Sequence, residues 1–244
     1  MNRLSLGNIN LDIPQPEAIE DTLQTLITEH SPAQIVTLNA LMFNLTQKNS
    51  ELFDAVSKAS FVIPDSAGIV WAVKTLHSKK INRFAGITLI DTICSLAEKK
   101  GYGIFLLGSR KEVLKKTVKN LAIKYPKLKI SGIQDGYYSV DKEDEVISVI
   151  KNSKADILLT AFNMPRQEIW ISKHIAQSGV KMAMGVGGSF DVISGNLKRA
   201  PVWAQDLGFE WLFRFIQEPA RIIRGIGLPL FILNIYRIKY SKTI

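Results

Sequence analysis

Gln34-Ile35-Val36-Thr37-Leu38-Asn39 and Phe61-Val62-Ile63-Pro64-Asp65-Ser66-Ala67-Gly68 are the two runs whose reading decides the fold of this chain. Each is a short, β-branched, apolar stretch that ends in polar residues and then gives way to a helical pattern. The pattern predicts a strand feeding a helix, twice in succession. In an open α/β sheet, ligands bind beyond the carboxyl ends of the strands. Thr37, Asn39 and Asp65 are therefore expected side by side at the mouth of one pocket. Asp65 is the only carboxylate in the two runs, and Pro64 and Gly68 around it favour a fixed turn. Two roles are open to Asp65: capping the helix that starts near Ser66, or catalysis. They are not mutually exclusive.

Outward from this pair, the same alternation continues. A hairpin is predicted at 4–13 around Gly7-Asn8, and a helix at 16–30. Strands are predicted at 35–38, 61–63, 104–107, 128–130, 156–160 and 180–184. Helices are predicted at 40–47, 51–58, 67–76, 88–99, 111–124, 143–151 and 165–176. Gly101 stops the fifth helix of the series, Ser109 can cap the next, and Pro165 falls near a first turn. Strands alternating with helices imply βαβ units, so an α/β fold is expected, with a mostly parallel sheet covered by helices on both faces. Composition changes only after Pro201, where the chain becomes aromatic and arginine-rich. The expected organisation is a core at 1–200 and a C-terminal appendage at 201–244.

The 244 residues carry a net charge of +9 and one cysteine, Cys94. That excludes a disulfide framework and fits a reducing, cytosolic setting. The N-terminus lacks the charged and apolar regions of a signal peptide. No apolar run reaches the roughly 18–20 residues that a spanning helix needs. A basic chain suits anionic partners, although lysine clusters such as 111–119 also read as solvated helix faces.

Three further stretches can carry chemistry. Gly185-Val186-Gly187-Gly188-Ser189, followed by Asp191, is a glycine-rich turn between a strand and a helix. Such a turn presents backbone N–H groups to an anion, or serves only as a tight turn needing positive φ. Asp191 can take a sugar hydroxyl or a base N–H, or simply favour the helix dipole. Gln167 and Glu168 follow the strand at 156–160 and fall near the same pocket. For Glu168 the commoner fate is a surface pair with Lys or Arg. In the tail, Leu207, Trp211, Leu212, Phe215 and Ile216 recur at helical spacing with Arg214 among them. Arg221, Arg224, an apolar segment at 225–236, and Arg237, Lys239 and Lys242 follow. This reads as an interfacial helix, or as a helix packed on the core or on a sister subunit. A metal centre is not expected: His30, His77 and His174 are far apart, and no H-E-x-x-H, C-x-x-C or D-x-D occurs. No G-x-S-x-G elbow is present either.

Taken in order, Thr37-Leu38-Asn39-Ala40, Pro64-Asp65, Arg83 with Gly86, Leu106-Leu107-Gly108, Gly136-Tyr137-Tyr138, Met164-Pro165-Arg166-Gln167-Glu168, 185–191, Lys198-Arg199-Ala200-Pro201, Glu210-Trp211-Leu212-Phe213-Arg214 and Gln217-Glu218-Pro219 resemble the WecG/TagA/CpsF glycosyltransferases over most of the chain. Two positions depart from the family pattern, Ser66 where glycine is usual and Thr88 where an acid is usual. The resemblance implies a Rossmann-like core with a C-terminal appendage used at the membrane. It also implies a metal-independent, inverting transfer without cofactor. The donor would be UDP-N-acetylmannosamine and the acceptor undecaprenyl-diphosphate-linked N-acetylglucosamine. The product would be a β-1,4-linked disaccharide lipid for wall teichoic acid; enteric relatives use the mannosaminuronic acid instead. Asp65, Thr37, Asn39, Gln167 and Arg214 would then be catalytic. Arg83, Gly108, Tyr137, Gly185, Val186, Gly187, Gly188, Asp191, Arg221 and Arg224 would bind substrate. The expected location is the inner face of the plasma membrane, with self-association through the apolar tail when off it. A dinucleotide oxidoreductase is disfavoured by the missing G-x-G-x-x-G, and a nucleic-acid module by the lack of any such motif.

Overall fold

A computed structural model of the protein describes residues 2–30, 32–201, 204, 213, 216–217 and 227–241. β1 (Asn2–Leu6) and β2 (Ile9–Ile13) form the expected antiparallel hairpin around Gly7. The remaining strands build one sheet: β3 (Ala33–Leu38), β4 (Phe61–Pro64), β5 (Gly103–Gly108), β6 (Lys129–Gln134), β7 (Ile157–Ala161) and β8 (Met182–Gly185). Their order is β4-β3-β8-β7-β5-β6, and every pairing is parallel. The mostly parallel, helix-covered α/β fold expected from the alternation is therefore the fold observed.

The helices are α1 (Ile19–Thr28), α2 (Ala40–Thr46), α3 (Ser50–Ser57), α4 (Ala67–His77), α5 (Gly86–Lys100), α6 (Lys111–Lys124), α7 (Glu143–Asn152), α8 (Arg166–Ser178), α9 (Ser189–Ile193) and α10 (Gly227–Ser241). The pleat distributes the strand residues between two layers. Ile35, Phe61, Ile63, Leu106, Leu159 and Met184 point to one face, where α1, α5, α6 and Phe190 of α9 cover them. Val36 and Val62 point to the other, under α2, α3, α4 and α10. Phe105, Leu107, Leu158 and Ala183 continue that second face under α7 and α8. Strands buried on both sides must be apolar on both sides, which is why these runs stand out in the sequence.

The hairpin shields the β4 edge of the sheet. Asp12, almost fully buried, accepts the Val62 N–H at 2.9 Å and pairs with Arg3 Nε at 2.6 Å. An edge N–H is thereby satisfied by a side chain rather than left as a template for another strand.

β3 leads outward to β4, whereas β5 lies on the far side of β3, with β7 and β8 filling the space between. Connections thus leave in opposite directions around the β3–β8 pair. This is the arrangement that opens a crevice at the carboxyl edge.

Two helix starts differ from expectation. The cap of α4 is Ser66, whose Oγ accepts the Ile69 N–H at 3.3 Å, and not Asp65. Ser109 does not cap α6: it is held at φ 55°, and the cap position falls on Arg110, which makes no side-chain cap bond. Gly101 ends α5 in the left-handed conformation, as expected.

Candidate active site

A cavity of about 620 Å³ opens at the carboxyl ends of β3, β4, β7 and β8. Thr37 and Asn39 enter it from β3, Asp65 from β4, Arg83 and Gly86 from the segment before and at the start of α5, Gln167 from α8, and Gly185–Ser189 from the turn after β8. The structure therefore brings together Thr37, Asn39, Asp65, Arg83, Gln167, Gly185, Val186, Gly187 and Gly188.

Asp65 is fixed by its backbone and by its carboxylate. Its N–H donates to Leu38 O at 2.9 Å, which continues the β3–β4 ladder by one step, and its Oδ1 accepts the Gly86 N–H at 3.0 Å. Phe84 N–H donates to Pro64 O at 2.8 Å, so the segment carrying Arg83 is laced to the same strand end. A Cβ at Gly86 would come within 3.7 Å of Thr37 Oγ1, which places the Thr37 side chain next to Gly86. Asn39 caps α2, accepting from Leu41 and Met42 N–H at 3.0 Å each. The Ser66 hydroxyl accepts the Ala40 N–H at 3.3 Å in addition to its own cap. Ser66 thus ties the β3 and β4 turns together, a job that glycine could not do. Thr88, the other departure from the family pattern, accepts from Arg199 Nη2 at 2.9 Å.

The glycine-rich turn is more self-contained than its sequence suggests. The Val186 N–H donates to Thr160 O at 2.8 Å, the Gly187 N–H to Gln167 Oε1 at 3.0 Å, and the Ser189 N–H to Val186 O at 3.0 Å. Three N–H groups of the turn are therefore engaged within the protein. Gln167 and Glu168 fall near the pocket, as the sequence predicts, but Glu168 does not take the surface ion pair that is the commoner fate of a lone glutamate. Glu168 is only 3 % exposed, and its Oε1 accepts from Gln167 Nε2 at 2.7 Å. Burial pushes the Glu168 carboxyl up to about 7, against the hydrogen bond from Gln167, which lowers it.

Gly108, Tyr137 and Asp191 do not line this cavity. They belong to the neighbouring part of the edge, beyond β5 and β6. Gly108 sits at φ 102°, and a Cβ there would lie 2.4 Å from Ala161 O, so no other residue fits without displacing β7. Tyr137 is 74 % exposed. Arg110, which sequence reading passed over, stands beside it: its hydrogen bond to Tyr137, with a smaller contribution from Asp191, holds its guanidinium pKa above the ordinary value. The signal available was position alone, since Arg110 follows a strand end.

The opposite wall is apolar. Leu41 and Met42 of α2, Trp71 of α4, Met164, and Leu228, Phe231 and Ile232 of α10 line it. The helix α10 is thus packed on the body. Phe231 is 1 % exposed and meets Phe43 edge-on at 5.5 Å, while Asn44 Nδ2 donates to Gly227 O at 2.6 Å and Asn234 Nδ2 to Asn44 Oδ1 at 3.1 Å. Ile232, which also lines the cavity, and Leu233, Tyr236 and Tyr240 of α10 are exposed. Arg214, Arg221 and Arg224, with Leu207, Trp211, Leu212 and Phe215, lie outside the described residues. Among the described residues no group of three or more His, Cys, Asp or Glu could hold a metal ion, and no helix is long and apolar enough to cross a membrane.

Fold and site together define a Rossmann-like α/β protein with a cavity at the carboxyl edge of a parallel sheet, where ligands of such sheets bind. Residues 4–243 match the family model described as the Glycosyl transferase WecG/TagA/CpsF family, and the chain belongs to that family. Among curated proteins it is 33 % identical over 210 residues to the N-acetylglucosaminyldiphosphoundecaprenol N-acetyl-beta-D-mannosaminyltransferase of Bacillus subtilis (strain 168), covering 86 % of this chain and 81 % of that protein. Proteins of the same name from Bacillus spizizenii and Staphylococcus aureus (strain MW2) match at 32 % over 213 residues and 33 % over 206 residues. Those matches cover 87 % and 84 % of this chain, and 82 % and 80 % of those proteins.

Proposed function

We propose that this protein transfers N-acetylmannosamine from UDP-N-acetylmannosamine to undecaprenyl-diphosphate-linked N-acetylglucosamine, in an inverting reaction that needs no metal. The observation that carries the reading is a single aspartate, Asp65, held in a fixed orientation where a polar strand edge meets an apolar wall. A direct displacement at an anomeric carbon needs one general base. Asp65 takes the proton from the acceptor hydroxyl, that oxygen attacks the anomeric carbon from the face opposite the leaving group, and the bond to UDP breaks. Thr37 lines the same cavity next to Gly86 and orients the sugar hydroxyls. Asn39 does so only at the expense of its bonds to the start of α2.

The leaving diphosphate carries the charge that develops, and without a metal it must be met by fixed donors. Arg83 is the candidate in the core, and Arg214, Arg221 and Arg224 are the further candidates; the turn at 185–188 contributes shape more than donors, since its Val186 and Gly187 N–H groups are engaged within the protein. Tyr137 and Asp191, at the adjoining edge with Arg110, receive the nucleoside. The names of the relatives support a lipid-linked acceptor, and the wall made by Leu41, Trp71, Leu228 and Ile232 suits one. The exposed apolar residues of α10, beside Arg237 and Lys239, support attachment to an anionic cytoplasmic membrane face, where basic residues are worth about 1 kcal/mol each.

Incubation with UDP-N-acetylmannosamine and a short-chain lipid diphosphate bearing N-acetylglucosamine should release UDP and give a disaccharide lipid. UDP release at the same rate from UDP-N-acetylglucosamine or from the mannosaminuronic acid donor would overturn the donor assignment. No release with any of them would overturn the reaction.

A further inference from the structure

Gln167 lines the cavity, whereas its buried neighbour Glu168 does not and has no part in the transfer chemistry just described, yet the pair is built with care. Gln167 presents an amide with one donor end and one acceptor end. Its Nε2 donates to Glu168 Oε1 at 2.7 Å and its Oε1 accepts the Gly187 N–H at 3.0 Å. Turning the amide over would set oxygen against oxygen at Glu168 and N–H against N–H at Gly187. Only one orientation is therefore compatible with both neighbours. Space is closed as well: a Cβ on Gly185 would stand 2.6 Å from Gln167 Nε2, so the amide occupies the volume that glycine vacates. The first turn of α8 is itself pinned to β3, because buried Gln34 donates from Nε2 to the Glu168 backbone oxygen at 2.9 Å. The chain of contacts thus runs from the middle of the sheet through Glu168 and Gln167 to the backbone of the turn.

We propose that Glu168 is a positioning residue: by fixing the Gln167 amide it holds Gly187, and with it the turn at 185–188, in the shape that receives the donor's diphosphate. This rests on the reading that the donor is a UDP sugar bound at that turn. The carboxyl is buried and its pKa is raised to about 7, so an amide at position 168, which keeps an acceptor oxygen and cannot ionise, is the conservative replacement. Glutamine can accept the same bond from Gln167; leucine cannot.

The test uses the full chain and two readouts, Gly187 amide exchange followed by NMR without ligand, and UDP affinity with the steady-state constants for the donor. In the wild-type protein the Gly187 amide should exchange more slowly than that of Gly188, and equal rates overturn the proposal. Glu168→Leu should speed Gly187 exchange and weaken UDP binding by about tenfold each, the loss expected for one hydrogen bond. The effect should fall on the donor KM more than on kcat. Glu168→Gln should restore both to within about twofold, a rescue that a loss of packing alone would not show. If the leucine variant does not fold, Glu168→Met, whose flexible side chain fills the same space, takes its place. The proposal falls if a folded Glu168→Leu or Glu168→Met protein keeps the protection and the UDP affinity of the wild type, or if Glu168→Gln is as impaired as they are. A wild-type chain that binds no UDP overturns the donor reading as well. That outcome is distinct from failure of this proposal alone, in which wild type and variant bind UDP equally.

Discussion

Exchanging Glu168 for Gln should flatten the pH dependence of folding stability between about pH 5 and pH 8. Desolvation dominates the Glu168 environment and raises its pKa from 4.5 to about 7, with the Gln167 bond opposing. No charged side chain is among the causes of that shift, so the shift is chiefly a property of burial. Its sign follows from proton linkage. Between the two pKa values the folded chain holds a proton that the unfolded chain has released, so stability falls as pH rises. The contribution is complete below about pH 4.5 and gone above about pH 7. At about 1.4 kcal/mol per pH unit, a rise from 4.5 to about 7 amounts to about 3 kcal/mol. Glutamine fills the same volume, keeps an acceptor for Gln167 and has no proton to lose. Urea unfolding of both proteins at pH 5, 6, 7 and 8, followed by tryptophan fluorescence, supplies the comparison. Taking the difference between variant and wild type at each pH removes the groups common to both. That difference should move by about 2–3 kcal/mol in favour of the variant across the series, the remainder of the loss falling below pH 5. Parallel curves, with a change below about 1 kcal/mol, would show that the carboxyl ionises in place at little cost and would refute the reasoning.

Asp65→Asn should lower turnover by about 10² to 10⁴-fold while UDP affinity, measured by calorimetry, stays within a few-fold of wild type; turnover near the wild-type value removes Asp65 from the role of base. Activity should survive EDTA, because the described residues offer no cluster of metal ligands, and a loss restored by Mg²⁺ or Mn²⁺ would contradict the metal-free reaction. Phe231→Ala should destabilise the protein by about 3–5 kcal/mol, the usual result of emptying a buried aromatic site, since Phe231 packs on Phe43 and Trp71; a loss below about 1 kcal/mol in urea unfolding would mean that α10 is not anchored there.

The strands were legible where burial on both faces forces a continuous apolar run, as in β3, β5 and β7. β6 was seen only in part, because Lys129, Ser131, Gly132 and Gln134 lie on a half-buried edge and break the pattern. Local turn chemistry was ambiguous by a single position: Asp65 and Ser66 are both good caps, and the backbone at the end of β4 decides for Ser66. The convergence of Thr37, Asn39 and Asp65 followed from the strand-end rule alone, whereas the turn at 185–188 joins them because β8 lies next to β3 in the sheet order. Glu168 could not be foreseen, since its burial depends on how the first turn of α8 docks on β3, through a bond spanning 134 residues. Packing on the core was one of the open readings of the tail, and for α10 it is decided by contacts such as that of Asn44 with Gly227 across 183 residues.

Phe231 belongs at once to the protein's interior and to the boundary of the cavity. Whatever fills the cavity therefore touches the residue that seats α10. If occupancy favours the seated helix by some factor, the seated helix favours occupancy by the same factor, because binding free energies around a closed cycle are reciprocal. A surface that drew the exposed residues of α10 toward itself would tighten or loosen the cavity's hold on its contents according to whether the helix stayed seated. The two processes can thus be read from either end: ligand affinity reports on the helix, and protection of the helix reports on the ligand.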